Sequence, residues 1–136
     1  MKTYFEEIKK EIENLKKEHN IIVVEGKKDR NALIRIGFSG KEIFSINNIG
    51  ISLYVIIDNL IVMARKSRVC ILTDTDRKGR ELYHKIKEKL DENGIRINSR
   101  LRHLLIKENI SHIEGLDTYI ENGNKENKEG NKTFRH

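Results

Sequence analysis

The chain has 136 residues, of which 37% are hydrophobic and 35% are charged, a composition typical of a single soluble domain with a strongly polar surface. No apolar run reaches the roughly 18 residues of a membrane-spanning helix, and the charged amino terminus has no signal-peptide core, so we expect a cytoplasmic protein without a membrane partner. The formal net charge of +6 and the pI near 9.4 favour a polyanionic partner such as nucleic acid.

The amino-terminal part predicts a helix followed by a strand and a second helix. Between residues 2 and 18 the apolar side chains fall on one helical stripe, which predicts a helix packed on the rest of the domain, with a dimer contact as the alternative. The apolar run Ile21–Val24 predicts a buried strand. A helix is then expected between Gly26, which would allow a close backbone approach, and Gly37, which is typical of a left-handed helix cap.

The rest of the chain continues the alternation of strands and helices, which predicts an α/β fold with a parallel sheet covered by helices on both faces. A strand at Tyr54–Ile57 is an alternative to the third helix, because β-branched runs are ambiguous. In chain order we expect a strand at Lys41–Ile46, a turn at residues 47–50, a helix capped by Ser52, the central strand Val69–Leu72, a helix at Arg77–Glu92, a strand at Ile95–Ile97, a helix at Ser99–Asn109, a strand and turn at Ser111–Gly115, and a brief helix to Ile120.

These elements predict three regions along the chain. Residues 1–19 form the added amino-terminal helix, and residues 20–121 form the α/β domain. Residues 122–136 are polar and nearly free of apolar side chains, so we expect a disordered tail. The single Cys70 cannot form a disulfide within the chain and is expected to be a small core residue.

Acidic residues follow two of the predicted strands. Glu25 comes directly after the first strand, and Asp74 and Asp76 come after the central strand. Because ligands of open α/β sheets bind at the carboxyl ends of the strands, the three carboxylates are expected to converge there. Such oxygens suit Mg²⁺, with Mn²⁺ as a substitute. The alternative is that the aspartates cap the following helix.

Residues 24–29 (VEGKKD) and 73–80 (TDTDRKGR) resemble the motifs of the Toprim domain, which topoisomerases, bacterial primases and the ribonuclease that matures bacterial 5S ribosomal RNA share. The resemblance covers about residues 20 to 120 and is closest to small stand-alone archaeal Toprim proteins. It implies a Rossmann-like sheet, magnesium-dependent chemistry at a phosphodiester, and a role for Glu25 as general acid or base. Where topoisomerases have a glutamate after the second motif's glycine, this chain has Arg80, as primase-like members do.

Basic residues follow both acidic motifs. Lys27 and Lys28 come after Glu25, and Arg77, Lys78 and Arg80 come after the second aspartate. Cations at helix amino termini oppose the helix dipole, so their presence there favours a role in binding nucleic-acid phosphates. The alternative is a solvated charged surface balanced by the acids.

The sequence therefore leaves three functional hypotheses. The first is a magnesium-dependent enzyme that cuts or joins nucleic-acid phosphodiester bonds, and the second is a non-catalytic nucleic-acid or ribosome-associated binding module. The third, a phospho-acceptor receiver domain, is disfavoured because Glu25-Gly26 stands where a receiver has paired acids. A protein partner or a homodimer is left open. His112 is expected to be packed or exposed rather than part of the site.

Overall fold

The structure is a computed structural model that describes residues 3–47 and 50–133. None of the helices in these residues combines the length and the apolar character that crossing a bilayer requires. The elements in chain order are α1 (Tyr4–Lys17), β1 (Ile21–Val24), α2 (Lys27–Arg35), β2 (Ile43–Ser45), α3 (Leu53–Ala64), β3 (Val69–Ile71), α4 (Arg77–Glu92), α5 (Arg100–Lys107) and α6 (Leu116–Thr133), with 3₁₀ turns at Gly40–Glu42 and Ile113–Gly115.

The three strands form one parallel sheet in the order β2-β1-β3. Ile22 of β1 lies opposite Ile43 on one side and Cys70 on the other. The first strand is therefore central, and the prediction that the strand before Asp74 is central was wrong. Since β1 and β3 are neighbours and parallel, the residues that follow them meet at one edge of the sheet.

Helices cover both faces of the sheet, as predicted. On one face, Ile22 and Val24 of β1 pack in a core with α1, α2, α5 and α6. On the other face, Ile21 and Val23 pack with α3 and α4. The alternation follows from strand geometry, in which successive side chains point to opposite faces, and it explains why all four residues of β1 are buried.

The structure differs from the two strands predicted after α4. The first is reduced to a single bridge, and the second is replaced by a 3₁₀ turn. At Ile95–Ile97 the chain makes only a single parallel bridge, between Ile97 and Val69, before α5 begins. At Ser111–Gly115 it forms a 3₁₀ turn instead of a strand. The reason for the second difference is that the backbone of this segment is bonded to the loop after β3: Thr75 N–H donates to the Ser111 carbonyl at 2.9 Å.

Two further regions differ from the sequence analysis. The strand predicted at Lys41–Ile46 is shorter, because a 3₁₀ turn that Ser39 caps occupies its first residues. In the turn predicted at residues 47–50, residues 48 and 49 lie outside the described part of the chain, and Gly50 has a φ of 84°.

The polar carboxyl-terminal segment, for which the sequence predicts a disordered tail, belongs to helix α6 in the structure. Helix α6 continues through residues 122 to 133. Its first turns pack Leu116, Tyr119 and Ile120 against the core. Farther along, Asn124 accepts a hydrogen bond of 2.7 Å from the Lys9 ammonium of α1. The polar composition of this segment gives no indication of its contact with α1.

Cys70 is fully buried in β3, as predicted, and burial raises the pKa of its thiol to about 12. We expect the folded protein to react with a disulfide reagent at pH 8 only through unfolding, because the native thiol is both inaccessible and neutral. Labelling followed across a denaturant series measures this. A native-state rate close to that of the unfolded chain would contradict the expectation.

Candidate metal centre

The carboxyl edge of β1 and β3 brings two of the predicted acids into contact. The Asp74 N–H donates a hydrogen bond of 2.7 Å to Glu25 Oε2. One glutamate oxygen therefore connects the two strand ends, while Oε1 has no hydrogen-bond partner within residues 3–47 and 50–133. A charge-assisted bond of this kind holds the second motif in register with the first.

Asp76 caps helix α4. Its Oδ1 accepts a hydrogen bond of 2.8 Å from the Gly79 N–H, so the capping interpretation of this residue holds for one oxygen, and Oδ2 remains available. The glycine is a steric requirement, because a Cβ at Gly79 would overlap the backbone of Asp74. Thr73 Oγ1 also donates to the Gly79 carbonyl at 2.7 Å. These bonds make a compact loop from β3 into α4.

Arg102 of α5 binds the backbone carbonyls of this loop. It is a residue of the site that the sequence did not predict. Arg102 is 2% exposed, and its guanidinium donates to the carbonyls of Thr73 and Asp74, the latter at 3.1 Å. The same group lies 4.3 Å from the ring centre of Tyr83. Burial lowers the pKa of Arg102, although the charges of Glu25 and Asp74 act in the opposite direction.

Residues 110–113 are bonded to the loop from its outer side. Asp74 Oδ1 accepts from the Ile113 N–H at 3.0 Å, which leaves Oδ2 without a partner in the described chain. These contacts bring His112 to the site: its Nε2 lies 3.7 Å from Asp76 Oδ2. Of the residues described, one group has the spacing of metal ligands, with one ligand atom from each of Asp74, Asp76 and His112 within 4.8 Å of the others.

Asp29 is a further acid beside this site. It is 8% exposed and accepts from the Gly26 N–H at 3.1 Å. Burial raises the pKa of Asp29, the charges of Asp74, Glu25 and Glu114 raise it further, and the bond from Gly26 opposes the shift. The close approach predicted at Gly26 is not found among the described residues, since the nearest atom to an added Cβ would be Asn47 Nδ2 at 3.9 Å.

The five predicted phosphate-binding cations are exposed and flank the acids. Lys27 and Lys28 form the first turn of α2, and Arg77, Lys78 and Arg80 lie in the first turn of α4. Both helices begin at the carboxyl edge of the sheet. Arg77 makes one exposed ion pair, with Glu81 at 3.5 Å, which is worth little in solvent. The acids therefore lie between two basic helix ends.

Comparison with known proteins agrees with this geometry. The family model for the Toprim domain matches residues 20–114. This range contains both strand ends, His112, and the loop that carries Asp74 and Asp76, which we call the D-x-D loop. The chain belongs to the Toprim family. The family was thus predicted correctly from the two motifs, and the α/β fold from the alternation of strands and helices.

The relatives of this Toprim protein include small archaeal proteins, as predicted. A UPF0292 protein of Methanocaldococcus jannaschii is 37% identical over 122 residues, covering 86% of this chain and 92% of the relative. A UPF0292 protein of Methanosarcina acetivorans is 31% identical over 119 residues, covering 85% and 78%. The solved structure of a putative protein from Aquifex aeolicus is similar to this chain, with a TM-score of 0.68 and 30% sequence identity. The match covers 80% of this chain and 94% of that one.

Toprim domains typically bind Mg²⁺, and the donors here fit such an ion. Asp74 and Asp76 each use one oxygen to hold the loop, and each has a carboxylate oxygen within 4.8 Å of the other's. Carboxylate oxygens are the ligands that Mg²⁺ prefers, together with water and substrate phosphates. Glu25 does not belong to the group with ligand spacing. Of the three predicted acids, Asp74 and Asp76 therefore lie together, and Glu25 is bonded to the backbone N–H of Asp74.

Three residues of the site were missed or set aside in the sequence analysis. Arg102 had no local signal, because its role depends on α5 lying under the loop. Asp29 does have one, since an acid three residues after a helix cap is the spacing of a capping box. His112 could be recognised only through the contact between its segment and the D-x-D loop.

Replacing Arg102 by lysine should destabilise the protein by about 1–3 kcal/mol, because an ammonium cannot reproduce the planar fork and leaves a buried carbonyl unpaired. Urea unfolding in EDTA measures the change. Arg96→Lys, at an exposed position, is the control and should change the stability by less than about 0.5 kcal/mol. Equal effects of the two substitutions would contradict a holding role for Arg102.

Proposed function

We propose that this Toprim protein is a magnesium-dependent enzyme that cuts or joins phosphodiester bonds in nucleic acid. The observation that carries the proposal is the arrangement of Glu25, Asp74 and Asp76 at one sheet edge between two exposed basic helix ends. Acids that would hold a cation, next to cations that would hold phosphates, are what phosphoryl chemistry requires.

In this proposal Asp74 and Asp76 hold the ion through their outer oxygens. Bound Mg²⁺ would supply Lewis-acid stabilisation of charge on the phosphate oxygens. Glu25 is the proton-transfer group, with its Oε1 directed to the reaction while Oε2 keeps the bond from the Asp74 N–H. The buried Arg102 acts as a positioning residue, since its hydrogen bonds go to the carbonyls of Thr73 and Asp74 and to the Thr73 hydroxyl.

The five cations bind the phosphates on either side of the scissile bond. An arginine can engage a phosphate through two parallel hydrogen bonds, and a lysine acts as a point charge. Their exposure and their position in the first turns of α2 and α4 leave them free to reach a backbone that runs across the carboxyl edge. Nucleic acid is accordingly the proposed partner.

A second candidate function is a non-catalytic nucleic-acid or ribosome-associated binding module that keeps the same fold. The observation that favours it is the state of Glu25, whose Oε2 is engaged by a backbone N–H and which lies outside the group with ligand spacing. A glutamate that serves only to join two strand ends would leave binding intact without turnover.

Cleavage assays with labelled RNA and DNA oligonucleotides distinguish the two candidates. Glu25→Gln should lower the magnesium-dependent rate by about 10²- to 10⁴-fold, the usual contribution of a general acid or base. The fold should be retained, because the glutamine carbonyl can still accept from the Asp74 N–H.

The matched control is Glu88→Gln, an exposed glutamate of α4, which should leave the rate unchanged. Magnesium-dependent cleavage that survives Glu25→Gln would move the active centre elsewhere. Binding of RNA or DNA with no cleavage by the parent protein on any substrate would favour the binding module.

The basic helix ends should make nucleic-acid affinity depend on salt. Changing Lys27, Lys28, Arg77 and Lys78 to alanine should reduce the slope of log affinity against log salt by roughly three to four units, at about 0.9 per lost contact with duplex DNA. Fluorescence anisotropy over a salt series measures the slope.

The chain offers a control with the same change of charge. Arg65, Lys66, Arg68 and Arg96 are exposed and line one shallow cavity, near the residues that precede β3 and therefore at the opposite edge of the sheet. Their replacement by alanine should leave most of the slope intact. A similar loss in both variants would assign the effect to net charge and contradict a specific interface at the carboxyl edge.

A further inference from the structure

His112 faces the D-x-D carboxylates at a distance suited to a shared ion. Its Nε2 lies 3.7 Å from Asp76 Oδ2, which is longer than a hydrogen bond. Two ligands of one ion with bonds of about 2.0–2.2 Å lie about 3–4 Å apart. The side chains of His112 and Asp76 are 52% and 44% exposed, so a cation from solvent can reach the space between them.

The backbone on both sides of His112 fixes its position relative to the carboxylates. The carbonyl of Ser111 accepts from the Thr75 N–H at 2.9 Å, and the Ile113 N–H donates to Asp74 Oδ1 at 3.0 Å. The residue between these bonds is therefore held against the loop although its ring is exposed. An exposed histidine without such bonds would have no defined position there.

The second ring nitrogen is also engaged. His112 Nδ1 lies 2.8 Å from Ser111 Oγ. In the neutral tautomer that carries its proton on Nδ1, donation to this oxygen leaves Nε2 with the lone pair, on the side of Asp76. Metal-binding histidines commonly show this pattern, in which one nitrogen binds the ion and the other donates to a nearby oxygen.

We propose that His112 is a third ligand of the divalent cation held by Asp74 and Asp76, and that its imidazole adds more to the affinity of the site for Mn²⁺ than to its affinity for Mg²⁺. The inference rests on the proposed metal centre and adds to it the choice of ion. Mg²⁺ strongly prefers oxygen ligands, whereas nitrogen ligands raise affinity along the first transition series. One imidazole and two carboxylates, with the remaining positions open to water and phosphate, form a mixed set of this kind.

Mn²⁺ provides a direct readout that does not depend on activity. Its binding to the full-length protein is measured by electron paramagnetic resonance, and pulsed measurements detect ¹⁴N nuclei bound to the ion. The parent should show a coupled ¹⁴N signal. His112→Ala should lose this signal and weaken Mn²⁺ binding by at least about 10-fold. The Kd for Mg²⁺, from competition with Mn²⁺, should rise by a smaller factor.

The control variants separate failure of this inference from failure of the proposed centre. His103→Ala, at an exposed position of α5, should keep the ¹⁴N signal and the Mn²⁺ affinity. Asp74→Asn or Asp76→Asn should abolish tight binding. If these two variants still bind Mn²⁺ as the parent does, the proposed metal centre itself is wrong.

A different result overturns only the role of His112. If the aspartate variants lose Mn²⁺ but the parent shows no ¹⁴N coupling and His112→Ala binds both ions normally, His112 is a neighbour of Asp76 and not a ligand. Because its side chain is exposed, His112→Ala should keep the melting temperature of the parent in EDTA. A variant that melts early is replaced by His112→Gln in the same measurements.

Discussion

The contact between the buried Arg102 guanidinium and the loop after β3 is the interaction on which the site depends. A strand that ends at the edge of a sheet leaves backbone carbonyls without ladder partners, and buried carbonyls must be paired. Arg102 supplies donors to the carbonyls of Thr73 and Asp74. With these groups satisfied from below, the loop can turn sharply into α4 and present its carboxylates outward.

The same arrangement addresses the repulsion among the acids. Two carboxylates about 4 Å apart repel by about 4 kcal/mol at an effective dielectric constant of about 20. Each acid of the site accepts at least one backbone N–H: Glu25 from Asp74, Asp74 from Ile113, and Asp76 from Gly79. Such bonds place a positive N–H dipole end against each carboxylate oxygen. At Asp29, which lies beside these acids, burial raises the pKa.

Backbone contacts also explain how a short 3₁₀ turn becomes part of the site. The segment around Ser111 forms no strand, because its backbone groups bond the D-x-D loop instead of a neighbouring strand. The Ser111 carbonyl accepts from the Thr75 N–H, and the Ile113 N–H donates to Asp74 Oδ1. Because His112 belongs to this segment, its ring lies close to Asp76 at the carboxyl edge of the sheet. An exposed histidine thus acquires a defined position without being buried itself, which is the basis for assigning it a role in selecting the ion.

The sequence alone determined the family, the α/β class and the positions of Glu25, Asp74 and Asp76 at strand ends, because apolar runs, acids and glycines carry these signals within a few residues. It also predicted α4 to the residue, since its cap and apolar period are local. Tertiary structure decided that β1 is central, that Arg102 bonds the carbonyls of the loop, and that residues 111–113 bond the loop instead of pairing as a strand. It also decided that the polar segment continues α6 and contacts α1 at Asn124. The physical reason is that these outcomes depend on pairing and hydrogen-bond partners 21 to 115 residues away, and no local pattern records which distant group will satisfy a given donor or acceptor.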